Sequence, residues 1–264
     1  MKPDYIRAAK YWERAGEVGY AEAMFASEEL GHHVSRRLWN IAIDIGKKLG
    51  LDSHSRVLDL GCGDGAFANA ALAQHFAEVD GLDMSQAAIR RAQSQACKEQ
   101  MHFEVCDITQ MDFSALRQRH YDGVFLIAIL HHLKKASPAI IQGLRTITNK
   151  VIVLEPNGSH FVRKLLELTP TYRAAGEDSF RTLEMEEIFA KAGFQKIIWQ
   201  RRNLFPNFTP QALFRILLPF ERFIESTAVL RALCTVNMWG FAVEKSATSN
   251  VHRDRHTTAR PGPG

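Results

Sequence analysis

Residues 57–68 read VLDLGCGDGAFA, a β-branched and leucine run that breaks into glycines at positions 61, 63 and 65. A strand that runs into glycines and then into a helix presents backbone N–H groups to an approaching ligand, because side chains there would block it. A plain strand-to-helix turn needs fewer glycines. The stretch therefore asks for a βα unit whose turn faces a ligand.

The surrounding sequence supplies more such units. Short apolar strands are expected near 56–60, 78–82, 101–105, 122–128 and 150–155, with helices in the gaps. Ser137-Pro138 announces one helix, with Ser137 as N-cap and proline at the first helical position. Strand–helix alternation at this spacing means a parallel sheet covered on both faces. The unbroken run Val124–Leu130 suits a central strand. Further on, Thr182 opens a helix that Gly193 ends, and Gln195–Trp199 reads as a strand. Thr209-Pro210 starts an apolar helix, a second follows Pro219, and Met238–Val243 reads as a closing strand. Ahead of the sheet, Val34, Leu38, Ile41, Ile45 and Leu49 recur on one helix face. The chain thus divides into an N-terminal helical cap (1–50), a ligand-binding core (51–160), a C-terminal part with a helical insertion (161–245) and a tail (246–264). The tail has almost no core-forming residues and is expected to be disordered.

Composition narrows the class. With 46% hydrophobic and 23% charged residues, the chain reads as a soluble globular protein. Residues 1–30 carry too many charges for a signal peptide, and the apolar runs Val124–Leu130 and Ala212–Leu218 are too short to cross a bilayer. Cys62, Cys97, Cys106 and Cys234 form no C-x-x-C pair, and no His/Cys cluster has zinc-ligand spacing, so reduced thiols, no metal and a cytoplasmic location are expected. The net charge is +4, of which the tail from Ser246 supplies +2 through three Arg and one Asp. The nearly neutral body lacks the concentrated basic face of a nucleic-acid binder.

The glycine loop fits two cofactor patterns. Gly61-Cys62-Gly63-Asp64-Gly65-Ala66 satisfies the dinucleotide spacing G-x-G-x-x-G/A, and Asp59-x-Gly61-x-Gly63-x-Gly65 satisfies an acidic glycine loop. No Lys-Ser/Thr pair follows, which excludes a Walker loop. Carboxylates at Asp59 and Asp64 oppose a pyrophosphate but suit a ligand bearing an ammonium and a sulfonium, as S-adenosylmethionine (SAM) does. An NAD-dependent oxidoreductase using the same loop is a second reading, and a SAM-binding sensor or interaction module without catalysis is a third.

The Asp59–Gly65 loop resembles motif I of the class I SAM-dependent methyltransferases, and the likeness extends over roughly residues 55–160. The resemblance implies a Rossmann-like, mainly parallel seven-stranded sheet flanked by helices, its last strand antiparallel, with helical cap elements. It implies SAM contacts from Asp59, Gly61, Cys62 and Gly63 in the loop. It also implies Asp83 at the ribose hydroxyls, Asp107 and Ile108 at the adenine edge, Ile127 beside the methionine portion, and a cofactor contact from Met84. A carboxylate at Asp83 suits the ribose because one such group accepts from two vicinal hydroxyls.

Methyl transfer from a sulfonium is an in-line displacement that depends on positioning, and an oxygen or nitrogen acceptor must also lose a proton. The carboxyl ends of parallel strands face the ligand crevice. Glu155 and His160 in VIVLEPNGSHF are therefore candidate bases, followed by His132 of the His131-His132 pair. The competing roles are structural: Glu155 tying a loop, His160 riding a surface helix, a histidine capping a helix start. The Asn/Asp-Pro-Pro-aromatic turn of enzymes that methylate exocyclic amines of bases is absent, and no Pro-Cys or Thr-Cys pair suggests a nucleophile for pyrimidines. A small-molecule or lipid-like acceptor is favoured. The stretch PNFTPQALFRILLPFERFIESTAVLRAL reads first as a buried helix pair, and alternatively as an acceptor pocket or a peripheral membrane contact.

Overall fold

Side chains along the central strands alternate between two apolar layers, following the period of two that a sheet imposes. The computed structural model describes residues 12–17, 19–170 and 178–244. The strands are β1 (Arg56–Leu60), β2 (Glu78–Asp83), β3 (Met101–Val105), β4 (Gly123–Ile127), β5 (Lys150–Pro156), β6 (Gln195–Arg202) and β7 (Val236–Ala242). They form one sheet in the order β3-β2-β1-β4-β5-β7-β6. β7 runs antiparallel to both β5 and β6, and the other neighbours are parallel. The strands, their number and the reversed last one follow the expectation. The tail 246–264 lies outside the described residues.

On one face Val57, Phe125, Ile152, Leu154 and Met238 pack against Leu30, Val34, Leu38, Ala42 and Ile45 of the Glu28–Lys48 helix. On the other, Leu58, Leu60, Val124, Leu126, Val151 and Val153 meet the Ser137–Ile147 and Thr182–Lys191 helices through Ile141, Leu144, Met185 and Phe189. Burying each such side chain contributes about 1.5–3 kcal/mol. The Glu28–Lys48 helix is well specified: Ser27 Oγ accepts from Leu30 N, glutamates occupy its first turn and lysines its last. Ile41 and Leu49 of the predicted stripe are only partly buried, while Ala42 and Ile43 are fully buried.

Ser137 is not an N-cap. It is the first residue of its helix, with Ala136 before it. The preceding short turns already supply acceptors, so the Ser137 amide donates to Leu133 O at 2.8 Å and its hydroxyl donates to the same carbonyl at 3.0 Å.

Beyond β6, the Gln211–Leu217 helix is tied to the Glu28–Lys48 helix by the exposed Arg215–Glu29 pair, and the Glu221–Ser226 helix by buried carboxylates. Arg37 Nη1 lies 2.9 Å from Glu221 Oε1 and donates to Glu225 Oε1 at 2.7 Å. His33 Nε2 lies 2.9 Å from Glu221 Oε2, and the Asn203 amide donates to Glu225 Oε1 at 2.7 Å. Among the described residues no helix is long and apolar enough to cross a membrane.

Candidate functional site

The chain leaves β1 through glycines in left-handed backbone, with φ of +83° at Gly61, +54° at Gly63 and +75° at Gly65. Space is as tight as conformation. A Cβ on Gly61 would sit 2.6 Å from the Ile129 side chain, and one on Gly63 2.5 Å from the Tyr20 ring. Both positions require glycine.

Carboxylates gather behind and beside this turn. Asp59 is 1% exposed, and neither of its oxygens accepts a hydrogen bond. Burial first, and then the charge of Asp83, push its carboxyl up to about 8. Such a group is costly to ionise unless a cation or donor meets it. Asp83 is also buried, which raises its pKa, while its bonds from Ser85 N and Gly63 N, both 2.9 Å, act in the opposite direction. The Met84 amide acts on it as a third backbone donor, in the same direction as those bonds. Asp64 accepts from Tyr20 N at 3.0 Å and so fastens the N-terminal segment to the loop. Asp107 caps the short turn Ile108–Gln110 by accepting from Thr109 N at 3.0 Å.

The second wall follows β4. Ala128 takes a left-handed conformation, φ +56°, and the turn that results aims successive amides at one side chain. Glu155, fully buried at the end of β5, accepts from Ile129 N at 2.9 Å and Leu130 N at 2.7 Å on Oε1. Its Oε2 accepts from His131 N at 3.3 Å and lies 2.6 Å from His131 Nδ1. With a carboxylate on that side, the ring carries its proton on Nδ1, and Nε2 becomes the proton-accepting nitrogen. His131 packs against His132 with the rings tilted by 45° and 3.9 Å between centroids, and Trp12 meets His132 edge-on at 4.6 Å.

These walls enclose a cavity at the carboxyl ends of β1, β2 and β4. Of the residues expected at the cofactor, Gly61, Asp83, Met84, Asp107, Ile108 and Ile127 line it, and so does His132. Asp59, Cys62 and Gly63 stand behind that lining, and Cys62 Sγ turns toward Gly81, leaving backbone as its means of contact. Glu155 lies beneath the 129–131 turn with both oxygens engaged. His160 lies apart: its side chain bonds to the Leu233 carbonyl, and burial lowers its pKa. The structure thus brings His132 to the cavity and does not bring His160 there.

Several lining residues carried no mark in the sequence. Trp12, Tyr20 and Met24 arrive from the N-terminal segment, and Ile129 and Leu133 complete the β4 side with His131. The histidine pair signalled the last of these. Nothing local signals Tyr20, whose partner Asp64 is 44 residues away.

The site's chemistry favours a cationic ligand over a pyrophosphate. No lysine or arginine is among the described residues lining the cavity, whereas Asp83 and Asp107 are, with Asp59 buried and unpartnered behind them. A ligand with ammonium and sulfonium groups on one side and a ribose on the other fits that donor and acceptor set.

Residues 57–151 match a family model described as a methyltransferase domain. A ubiquinone biosynthesis O-methyltransferase from Alkalilimnicola ehrlichii is 32% identical over 85 residues, covering 32% of this chain and 34% of that protein. The match therefore spans about a third of the curated relative's length. Solved structures resemble the fold more widely. A chain of the complex between the Haloferax volcanii Trm112 methyltransferase activator and a methyltransferase has a TM-score of 0.63 at 13% identity, over 89% of this chain and 98% of that one. Magnesium protoporphyrin IX methyltransferase from Synechocystis PCC 6803, with bound SAM, has a TM-score of 0.60 at 16% identity, over 92% and 99%.

Proposed function

Through residues 57–151 the chain belongs to the class I SAM-dependent methyltransferases, and from that premise we propose that it transfers a methyl group from SAM to a small-molecule or lipid-like acceptor, on oxygen or nitrogen. The observation that carries the reading is Asp59, a buried carboxylate without a hydrogen-bond partner behind a cavity lined by further acids. SAM supplies an electrophilic methyl group. On the protein side, Asp83 holds the ribose hydroxyls, Asp107, Ile108 and Met84 bracket the adenine, and Gly61 and Ile127 flank the methionine portion. Asp59 and Asp64 compensate the positive charge.

Glu155 is a positioning residue in this scheme. It fixes the 129–131 turn and sets the His131 tautomer, and His131 or its neighbour His132 removes the acceptor's proton. Residues 51–160 form the donor half, and residues 1–50 and 161–245 shape the acceptor side. The ubiquinone-pathway relative favours an oxygen acceptor on an apolar molecule. All four cysteines are free thiols, which suits a cytoplasmic protein.

Calorimetric titration with SAM, S-adenosylhomocysteine and NADH tests the donor assignment: binding of the first two and not the third is expected. Binding of NADH alone would overturn it. Transfer of labelled methyl from SAM into phenolic, amine and lipid-extract fractions then identifies the acceptor class. Tight SAM binding with no transfer to any fraction would favour a non-catalytic role.

A further inference from the structure

Residues 211–226 carry two apolar faces where a surface helix needs one. Phe214 is buried against His33 and Phe205 and serves the core. Leu213, Ile216, Phe220 and Phe223 recur at steps of three and four on the other side and face solvent, with Ile216 at 66% and Phe223 at 63% exposure. Core packing does not call for such a stripe, and a contiguous exposed apolar patch marks an interaction surface.

The charges around the stripe identify its partner. Glu221 and Glu225 are the only carboxylates between positions 206 and 233, and both are turned inward at 2% and 4% exposure onto Arg37 and His33. The outward surface of the same turns displays Arg222 and Arg215, the latter also bonded to Glu29 at 2.7 Å. An apolar stripe flanked by Arg222 and Arg215, with Glu221 and Glu225 withdrawn and Glu29 engaged by Arg215, is complementary to an anionic lipid interface. A two-fold contact between copies of this chain, centred on the stripe, would bring these arginines toward one another.

The stripe is also joined to the cavity. Gln211 and Arg215 bond to Glu29, and Asn207 O accepts from Ala26 N at 2.8 Å. Ala26 and Glu29 follow directly on Tyr20 and Met24, which line the cavity.

We propose that the Leu213–Ile216–Phe220–Phe223 stripe, with Arg215 and Arg222, docks the protein peripherally on anionic membrane, against which the acceptor is presented. The acceptor's membrane origin rests on the methyl-transfer reading; the docking does not. Flotation of the full chain with phosphatidylcholine vesicles, with and without phosphatidylglycerol, tests it. Binding to the anionic vesicles is expected, weakened about tenfold by Arg222→Glu and by the Ile216→Ser/Phe223→Ser pair, with S-adenosylhomocysteine affinity unchanged in every variant. Because all three positions are exposed, retained S-adenosylhomocysteine binding also reports that the variants fold. If the wild-type protein binds that ligand yet floats with neither vesicle, the docking is overturned. The same holds if the stripe mediates a dimer that the serine pair dissociates while vesicles are ignored. Loss of ligand binding in the wild type would sink the donor assignment instead, and flotation would still decide the docking.

Discussion

Nδ1 of His131 lies 2.6 Å from Oε2 of Glu155, and both side chains are withdrawn from solvent. The carboxylate also gathers the amides of residues 129, 130 and 131, so the ends of β4 and β5 are joined through one side chain. Glu155→Gln replaces one acceptor oxygen with an NH2 that faces donors. Chemical denaturation should show a loss of about 2–3 kcal/mol. If His131 is the base, the pH profile of kcat should also shift, which destabilisation alone would not cause.

Asp59 gives a pH signature. Its folded-state carboxyl is pushed up to about 8, far above the unfolded value of about 3.9. The folded protein therefore holds a proton that the unfolded chain releases. Its stabilising contribution is complete below about pH 4 and is lost as pH rises through about 8. Asp59→Asn should flatten this slope, measured as Tm against pH in ligand-free protein. SAM affinity should rise across the same window in the wild type, as the carboxylate forms, and stay flat and weaker in the variant. Parallel pH slopes in both proteins would count against Asp59.

Gly63→Ala puts a Cβ 2.5 Å from the Tyr20 ring at a φ of +54°. Tyr20 must move, and with it the N-terminal wall. We expect SAM affinity to fall by at least about tenfold, together with a stability loss of more than about 1 kcal/mol; titration and thermal melting read the two effects separately.

Ala128→Gly tests the opposite case. The alanine sits at φ +56° and its turn aims three amides at Glu155. Removing the Cβ from left-handed backbone should stabilise the fold by about 0.5–1 kcal/mol. A drop in Tm would mean that the methyl group packs more than its conformation costs.

The histidines should separate. His132→Ala opens the cavity wall against Trp12 and should alter catalysis or acceptor KM. His160→Ala removes a bond to the Leu233 carbonyl and should cost about 1 kcal/mol of stability, with SAM affinity intact. Reversal of these two outcomes in steady-state kinetics would exchange their roles.

The sheet and donor side were legible because they rest on local signals. Val124–Ile127 showed a buried strand by its composition, although the apolar run continues to Leu130 while the strand stops at Ile127, where Ala128 turns left-handed. Asp83 and Asp107 followed strands at the positions that the motif led one to expect. The rest depends on contacts between distant segments. Glu221 and Glu225 look like surface charges until Arg37 is placed against them. Tyr20 looks like an ordinary aromatic until Asp64 receives its amide. His160 sat in a promising stretch, but the turn after β5 carries it toward Leu233.

The reversal of β7 also decides where the molecule can be handled. That strand ends at Ala242 opposite Lys150, the residue that begins β5, so β7 finishes at the end of the strands remote from the cavity. Trp12 and Tyr20, by contrast, are part of the cavity wall. Anchoring the protein through a substitution near Ala242 therefore acts on the end of the sheet away from the cavity, whereas anchoring it through Trp12 or Tyr20 would act on the cavity wall itself.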